Sequence, residues 1–452
     1  METILIRTLQ LILSLSILIV IHEMGHFLFA RLFKVRVEKF SLFFDPWFTL
    51  FKYKPKSSDT EYAIGWLPLG GYVKIAGMID ESMDTEQMKK PVEEWEFRAK
   101  PAWQRLLIMI GGVLFNFILA IFIYAMILFT WGDNYIKIQE ANLGMTFNSA
   151  AHEVGFRDGD ILVSADGFPF ERYDGETLSR IVEADKVTVK RNGELAQISI
   201  PNDMMQRILK DSITTFARYR MPFVADSIKP NSPAALSGIQ KGDSIVELND
   251  KSVSFQEFVE ELNKVKKNSN ATSLDESSDK FISVKYIRGG VESIAQIELD
   301  TLYQIGVFPV LEQSKLFAVE NKQYGFFESI PLGIQLGVNT MKNYVNSLKH
   351  IFSKEGAKQV GGFASIASVF PEKWNWLKFW EMTALISIML AFLNILPIPA
   401  LDGGHVLFLL YETVTRRKPS NKFLEYAQIV GMIFLFCLLI LANLNDVIKF
   451  LF

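Results

Sequence analysis

Four stretches of this chain are long and apolar enough to cross the hydrocarbon core of a bilayer, which takes about 20 consecutive mostly apolar residues. They run from Ile4 to Phe33, Leu106 to Trp131, Trp380 to Leu401 and Tyr426 to Leu444. Backbone polar groups in lipid must be satisfied within the spanning element, so each stretch is expected to be a helix. Charged residues still make up 21% of the 452, so only part of the chain can lie in lipid. The first stretch has the position of a signal peptide but is too long for an h-region, lacks a small-residue cleavage site and carries polar residues, and is expected to be retained. The net charge of −3 and the absence of a basic run interleaved with aromatics exclude nucleic acid as a partner. Cys437 is the single cysteine, so no intramolecular disulfide can form, and it reads as a packing residue.

Lys and Arg mark the sidedness. They cluster after the first stretch (Arg31, Lys34, Arg36, Lys39, Lys52, Lys54, Lys56) and between the last two (Arg416, Arg417, Lys418, Lys422). Under the positive-inside rule both connections are cytoplasmic, and the termini and the long central region lie outside.

That central region, about Tyr135 to Gln304, contains a repeat. NSAAHEVGFRDGDILVSADG from Asn148 aligns without a gap to NSPAALSGIQKGDSIVELND from Asn231, matching at Gly155/Gly238, Gly159/Gly242 and Asp160/Asp243 among others. Each copy reads as a short helix, a turn bearing Gly-Asp and an apolar strand. The pattern resembles PDZ domains of the bacterial protease type, which accept an extended peptide or carboxyl terminus at a sheet edge. The alternative is a spacer or lid that binds nothing. Lys266 to Lys280 is expected to be a polar loop in the second copy.

The chemistry starts in the first span with His22-Glu23-Met24-Gly25-His26. Residues four apart share a helix face, so both imidazoles can meet one Zn2+ ion while Glu23 handles a proton. The bland reading is a pair of packing histidines, but ionisable groups in an apolar span are costly and functional by default. A third ligand is required, and the third apolar stretch supplies Asp402 in NILPIPALDGGH. A carboxylate there is expensive unpaired and neutral on a metal. Asp402 is assigned, with His405 a competing choice. His152 and His350 lie in the outer region and read as surface or packing residues.

A scissile bond inside a helix is shielded by its own hydrogen bonds, so a substrate helix has to be held extended. Pro397 and Pro399 donate no backbone hydrogen bond and bias their predecessors toward extended geometry, which interrupts the third span beside Asp402. Asn394 could hydrogen-bond unwound substrate or join helices, whereas Asn116 reads first as a helix-joining residue. Glu61 to Met78, with Gly70, Gly71, Tyr72 and Val73, reads as a hairpin whose edge strand could take the substrate.

Taken together, HEMGH, NILPIPALDGGH, two intervening PDZ-like copies and four spans resemble the site-two protease family of intramembrane metalloproteases, and most its bacterial RseP-type branch. The resemblance covers nearly the whole chain. It implies His22, His26 and Asp402 as zinc ligands, Glu23 as the catalytic residue and His405 as a non-ligand. It also implies a membrane-embedded β-loop at Gly70 to Lys74 and a second-span Gly-x-x-x-Asn segment at Gly112 to Asn116. Gly361-Gly362-Phe363 departs from the Gly-Gly-Pro of relatives.

The expected fold is a polytopic α-helical membrane protein with four spanning helices, a membrane-associated β-loop and two inserted PDZ-like α/β domains. Its segments are 1–34, the first span; 35–100, a cytoplasmic-side segment with the β-loop at about 61–78; 103–131, the second span; 135–215 and 216–304, the PDZ-like copies; 305–375, an amphipathic surface helix and linker; 376–410, the third span; and 425–446, the fourth. By resemblance the protein sits in a bacterial inner membrane with the PDZ-like copies periplasmic, in contact with lipid. Its substrates are then single-span anti-sigma-factor-like proteins and remnant signal peptides. Two other classes stay open. A membrane-anchored metalloprotease cutting outside the bilayer would use the same HExxH, usually with a glutamate third ligand. A non-enzymatic PDZ scaffold would need neither HEMGH nor LDGGH.

Overall fold

The computed structural model describes residues 2–68, 70–78, 91–211, 215–271, 281–300, 303–351 and 361–451. The chain forms two compact units, one from Met1–Gly132 with Gln323–Phe452, the other from Asp133–Lys322. Among the described residues, four helices are long and apolar enough to span a membrane, all in the first unit.

The first of these, α1 (Glu2–Leu32), is apolar for most of its length, and two of its buried polar side chains bond to the third-span region. Gln10 donates to the Pro371 carbonyl at 3.0 Å, and Ser14 accepts from Thr383 Oγ1 at 3.0 Å. Such pairing is what lipid demands of a polar side chain in a span. The basic connection after α1 is not irregular. It forms a four-stranded sheet of β1 (Val37–Leu42), β2 (Phe51–Tyr53), β3 (Glu61–Ile64) and β4 (Tyr72–Ile75), in the order β2-β3-β1-β4. The expected hairpin between Glu61 and Met78 is therefore corrected. β3 and β4 do not pair with each other, because β1 lies between them, parallel to β3 and antiparallel to β4. Its Val-Glu-Lys-Phe-Ser-Leu segment lay within a run read only for its charge. Among the described residues, the sheet order leaves the far edge of β4 unpaired.

The second span, α2 (Ala102–Trp131), meets α1 backbone to backbone. A side chain on Gly25 would overlap the Gly111 carbonyl, and one on Gly111 would overlap that of Gly25. Small residues permit such an approach where water supplies no drive to associate. The helix expected on the outer surface spans Phe326–Ile351 and packs along α2, with Gly333 against Ala125 and Gly337 against Ile121.

The third span breaks in two. Its first half, Trp376–Ile395, is capped by Asn375, whose side chain accepts from the Lys378 amide at 3.0 Å. The helix stops where Leu396 turns extended before Pro397, and resumes at Asp402–Thr415. Between the halves Ala400 has φ +77°, a left-handed conformation that costs a residue with a side chain about 1–3 kcal/mol. Gly403 and Gly404 let the chain fold against its own Leu396 and Ile398 carbonyls, which side chains there would overlap. The last helix, Asn421–Leu451, presses Gly431 on Pro399 of the break. Cys437 on that helix is exposed rather than packed, since an apolar run on a spanning helix includes a face turned toward lipid.

The second unit holds two similar halves with separate cores, one around Phe156, Leu162 and Phe216, the other around Phe258, Ile245 and Val284. In each half a short helix follows a strand, Ser149–Val154 after Met145–Phe147 and Pro233–Leu236 after Phe223–Ile228. Each of those strands pairs with a later one, Ala217–Tyr219 in the first half and Val307–Pro309 in the second. The repeated Gly-Asp is a clamp. Asp160 accepts Arg191 Nε and Nη2 at 2.8 and 2.7 Å, and Asp243 accepts Arg288 Nε and Nη2 at 2.7 and 2.6 Å. The same guanidinium reaches the repeated glycine's carbonyl, Gly155 or Gly238, each at 2.7 Å. Burial pushes the Asp243 carboxyl up, but Arg288 and the Gln240 amide hold it below the ordinary carboxylate value. The polar loop expected at Lys266 to Lys280 is corrected over its first part. An amphipathic helix from Phe255 continues to Ala271, its face set by Phe258 and Leu262, and 272–280 lie outside the described residues.

Candidate metal centre

α1 brings His22 and His26 onto one face, with Glu23 buried beside them. The restart of the third span places Asp402 opposite. Nε2 of His22, Nε2 of His26 and Oδ2 of Asp402 form a triangle with sides of 3.1, 3.3 and 3.3 Å. Donors at tetrahedral corners about 2 Å from one ion are about 3.3 Å apart, so the three atoms fit a zinc ion and leave a fourth position. Two further observations agree with a metal. Asp402 Oδ2 is buried and accepts no hydrogen bond, a cost that a cation removes. His26 Nδ1 lies 2.8 Å from the Ile108 carbonyl, which can only accept, so Nδ1 carries the proton and Nε2 offers a lone pair. Among the described residues, His22, His26 and Asp402 are the one group of three or more His, Cys, Asp or Glu side chains spaced to hold a metal.

The space around the triangle depends on α2. A side chain on Gly112 would overlap the rings of both His22 and His26, so only glycine lets α2 lie against them. Two cavities meet at His22 and Glu23. A small one of about 50 Å³ holds the triangle, with Val73, His405 and Gln428 on its walls. The larger, about 420 Å³, is mostly apolar, with Leu15, Ile19, Phe363 and Leu390 among its lining residues.

The other residues singled out in the sequence are distributed unevenly. Gly70, Gly71, Asn116 and Asn394 line the larger cavity, and the Asn394 amide nitrogen is 3.4 Å from His22 Nε2. Val73 faces the metal cavity, but strand alternation turns Tyr72 the other way, where its hydroxyl donates to Asp45 Oδ1 at 2.9 Å. Pro397 lines neither cavity, and Pro399 supports the last helix and Gly404. His405 lines the small cavity but is not one of the three closely spaced ligands. His152 is exposed and paired with Asp158 at 3.1 Å, and the side chain of His350 lies outside the described residues. Sequence reasoning missed Gly25, Gly111, the Ile108 carbonyl and Gln428. The Gly-Gly pair inside a span and an amide in the last span were the available signals.

An HExxH helix and a distant aspartate within a bundle of apolar helices define a membrane metalloprotease. The model of peptidase family M50 matches residues 10–438, and the chain belongs to that family, the site-two protease group. Similar proteins include the "Regulator of sigma E protease" of Haemophilus influenzae, 28% identical over 97% of this chain and 98% of the relative. The "Regulator of sigma-E protease RseP" of Escherichia coli is 29% identical over 96% and 97%. A "Putative zinc metalloprotease" of Thermotoga maritima is 26% identical over 96% and 98%.

Proposed function

We propose that this chain hydrolyses peptide bonds within the spanning segments of other membrane proteins, with zinc held by His22, His26 and Asp402. The observation that carries the reading is the placement of that triangle at the end of an apolar cavity among spanning helices. Zinc, when bound there, polarises the scissile carbonyl and lowers the pKa of a bound water. Glu23 is the general base, taking the water's proton and returning it to the leaving amine. Gly71 packs against Ile19 and Gly70 against Phe44 on the wall of the larger cavity, and the edge of β4 left unpaired among the described residues would offer an extended substrate strand backbone hydrogen bonds. Asn394 stands where unwound substrate would pass. The break at Pro397 and Pro399 serves the enzyme by turning Asp402 toward the histidines.

Names of the relatives point to regulation of a sigma factor, so the substrate class is a single-span anti-sigma-factor-like protein after an outer cut, with remnant signal peptides a second class. The membrane is a bacterial inner membrane, with Lys54 and Lys418 on the cytoplasmic side and Lys251 outside. The paired copies of the second unit are PDZ-like filters that reject substrates with bulky outer domains, by sterics and not by affinity. The test is proteomics of membrane fragments in cells carrying Glu23→Gln. Single-span remnants should accumulate in the mutant, and an unchanged membrane fraction would overturn the reading. Replacing Tyr135 to Gln304 by a short linker should admit substrates with intact outer domains. Loss of cleavage of trimmed substrates, with zinc retained, would make the copies recruiters instead.

A further inference from the structure

His26 has a fixed partner for its outer nitrogen in the Ile108 carbonyl. The equivalent nitrogen of His22 faces a side chain. Nδ1 of His22 is 3.4 Å from the amide nitrogen of Asn116, a residue only 1% exposed. The Asn116 amide oxygen is buried and, among the described residues, has no hydrogen-bond partner. Ile108, Gly112 and Asn116 are spaced by four on α2, so one stripe of that helix presents a carbonyl, a gap and an amide to the two rings. The Ser387 hydroxyl donates to the Asn116 backbone carbonyl at 2.7 Å and ties this turn to the third span.

The orientation of this amide is coupled to the tautomer of His22. With its nitrogen toward Nδ1 it donates there, and the imidazole proton sits on Nε2. A ring in that state has no lone pair to offer a metal. A half-turn of the amide brings the oxygen to Nδ1, which then carries the proton and frees Nε2. The oxygen gives up no hydrogen bond in turning, because it makes none where it is. We propose that Asn116 is a positioning residue that accepts from His22 Nδ1–H and so selects the tautomer able to bind zinc. This differs from contact with substrate, since the group acts through His22 and not on the peptide.

The proposal rests on zinc at His22, and zinc content of the wild-type chain tests that reading separately. The measurement is zinc affinity of the purified full-length protein in detergent, by competition with a chromophoric chelator. Loss of an outer partner of a metal-ligating histidine typically weakens binding about 10- to 100-fold. Asn116→Leu, which keeps the bulk and removes the acceptor, should show a loss in that range, and Asn116→Ala the same should the leucine variant not fold. Asn116→Asp keeps an acceptor toward Nδ1–H and should stay within about threefold of wild type, a rescue that packing alone would not give. Ser387→Ala, which touches only the backbone of Asn116, should leave affinity unchanged. Wild-type affinity in Asn116→Leu, with or without a raised KM, would overturn the proposal. So would equal losses in the leucine and aspartate variants, or a matching loss in Ser387→Ala.

Discussion

Asp402 in the membrane unit and Asp243 in the inserted unit are carboxylates withdrawn from water and settled in opposite ways. Asp243 takes two hydrogen bonds from the Arg288 guanidinium and one from the Gln240 amide, so the fold itself supplies its counter-charge. Asp402 faces two imidazole nitrogens, and among the described residues its buried Oδ2 accepts no hydrogen bond. A paired buried carboxylate can serve structure, whereas one left unsatisfied beside two lone-pair donors marks a place where the fold expects a cation. The two sites therefore answer differently to the same substitution.

The largest contrast is in metal and activity. Asp402→Ala should lose both zinc, measured by metal analysis, and proteolysis. Glu23→Gln should keep zinc and lose at least about 100-fold in rate, the low end of what a general base contributes. Asp243→Ala should change neither. Full zinc in Asp402→Ala with loss in His405→Ala would move the third ligand to His405.

In stability the order reverses. Asp243→Asn removes the charge from the carboxyl that clamps Arg288 and should destabilise the inserted unit measurably, read from denaturant unfolding of the full chain. Asp402→Asn in the zinc-stripped protein removes an uncompensated carboxylate and should leave stability unchanged or raise it. A comparable loss at both sites would mean that the two carboxylates are settled in the same way.

Smallest is the effect of acid. The Asp243 carboxyl lies below its ordinary value, so its contribution is complete above the unfolded pKa of about 3.9 and fades as pH falls through the lower folded one. The stability gap between wild type and Asp243→Asn should thus be full at pH 5 and close toward pH 2. A gap that widened in acid would mean that Asp243 is not held ionised by Arg288.

Patterns that repeat along one element were legible from the residues alone. The four apolar lengths, the four-residue spacing of His22 and His26, the ungapped repeat and the prolines that break the third span are local, and helix geometry or a missing N–H converts each into structure directly. Asp402 was legible too, because a carboxylate in an apolar run has few inexpensive explanations. Pairings between distant segments were not. Tertiary structure alone decided that β1 enters between β3 and β4, that Arg191 and Arg288 close on the repeated aspartates, and that Gly25 and Gly111 bring two helices into backbone contact. It alone decided that Ile108, Gly112 and Asn116 form one stripe against the ligand rings. The physical reason is the same throughout: a period along the chain tells a residue which face it occupies, while its partner across the bundle depends on how two surfaces pack.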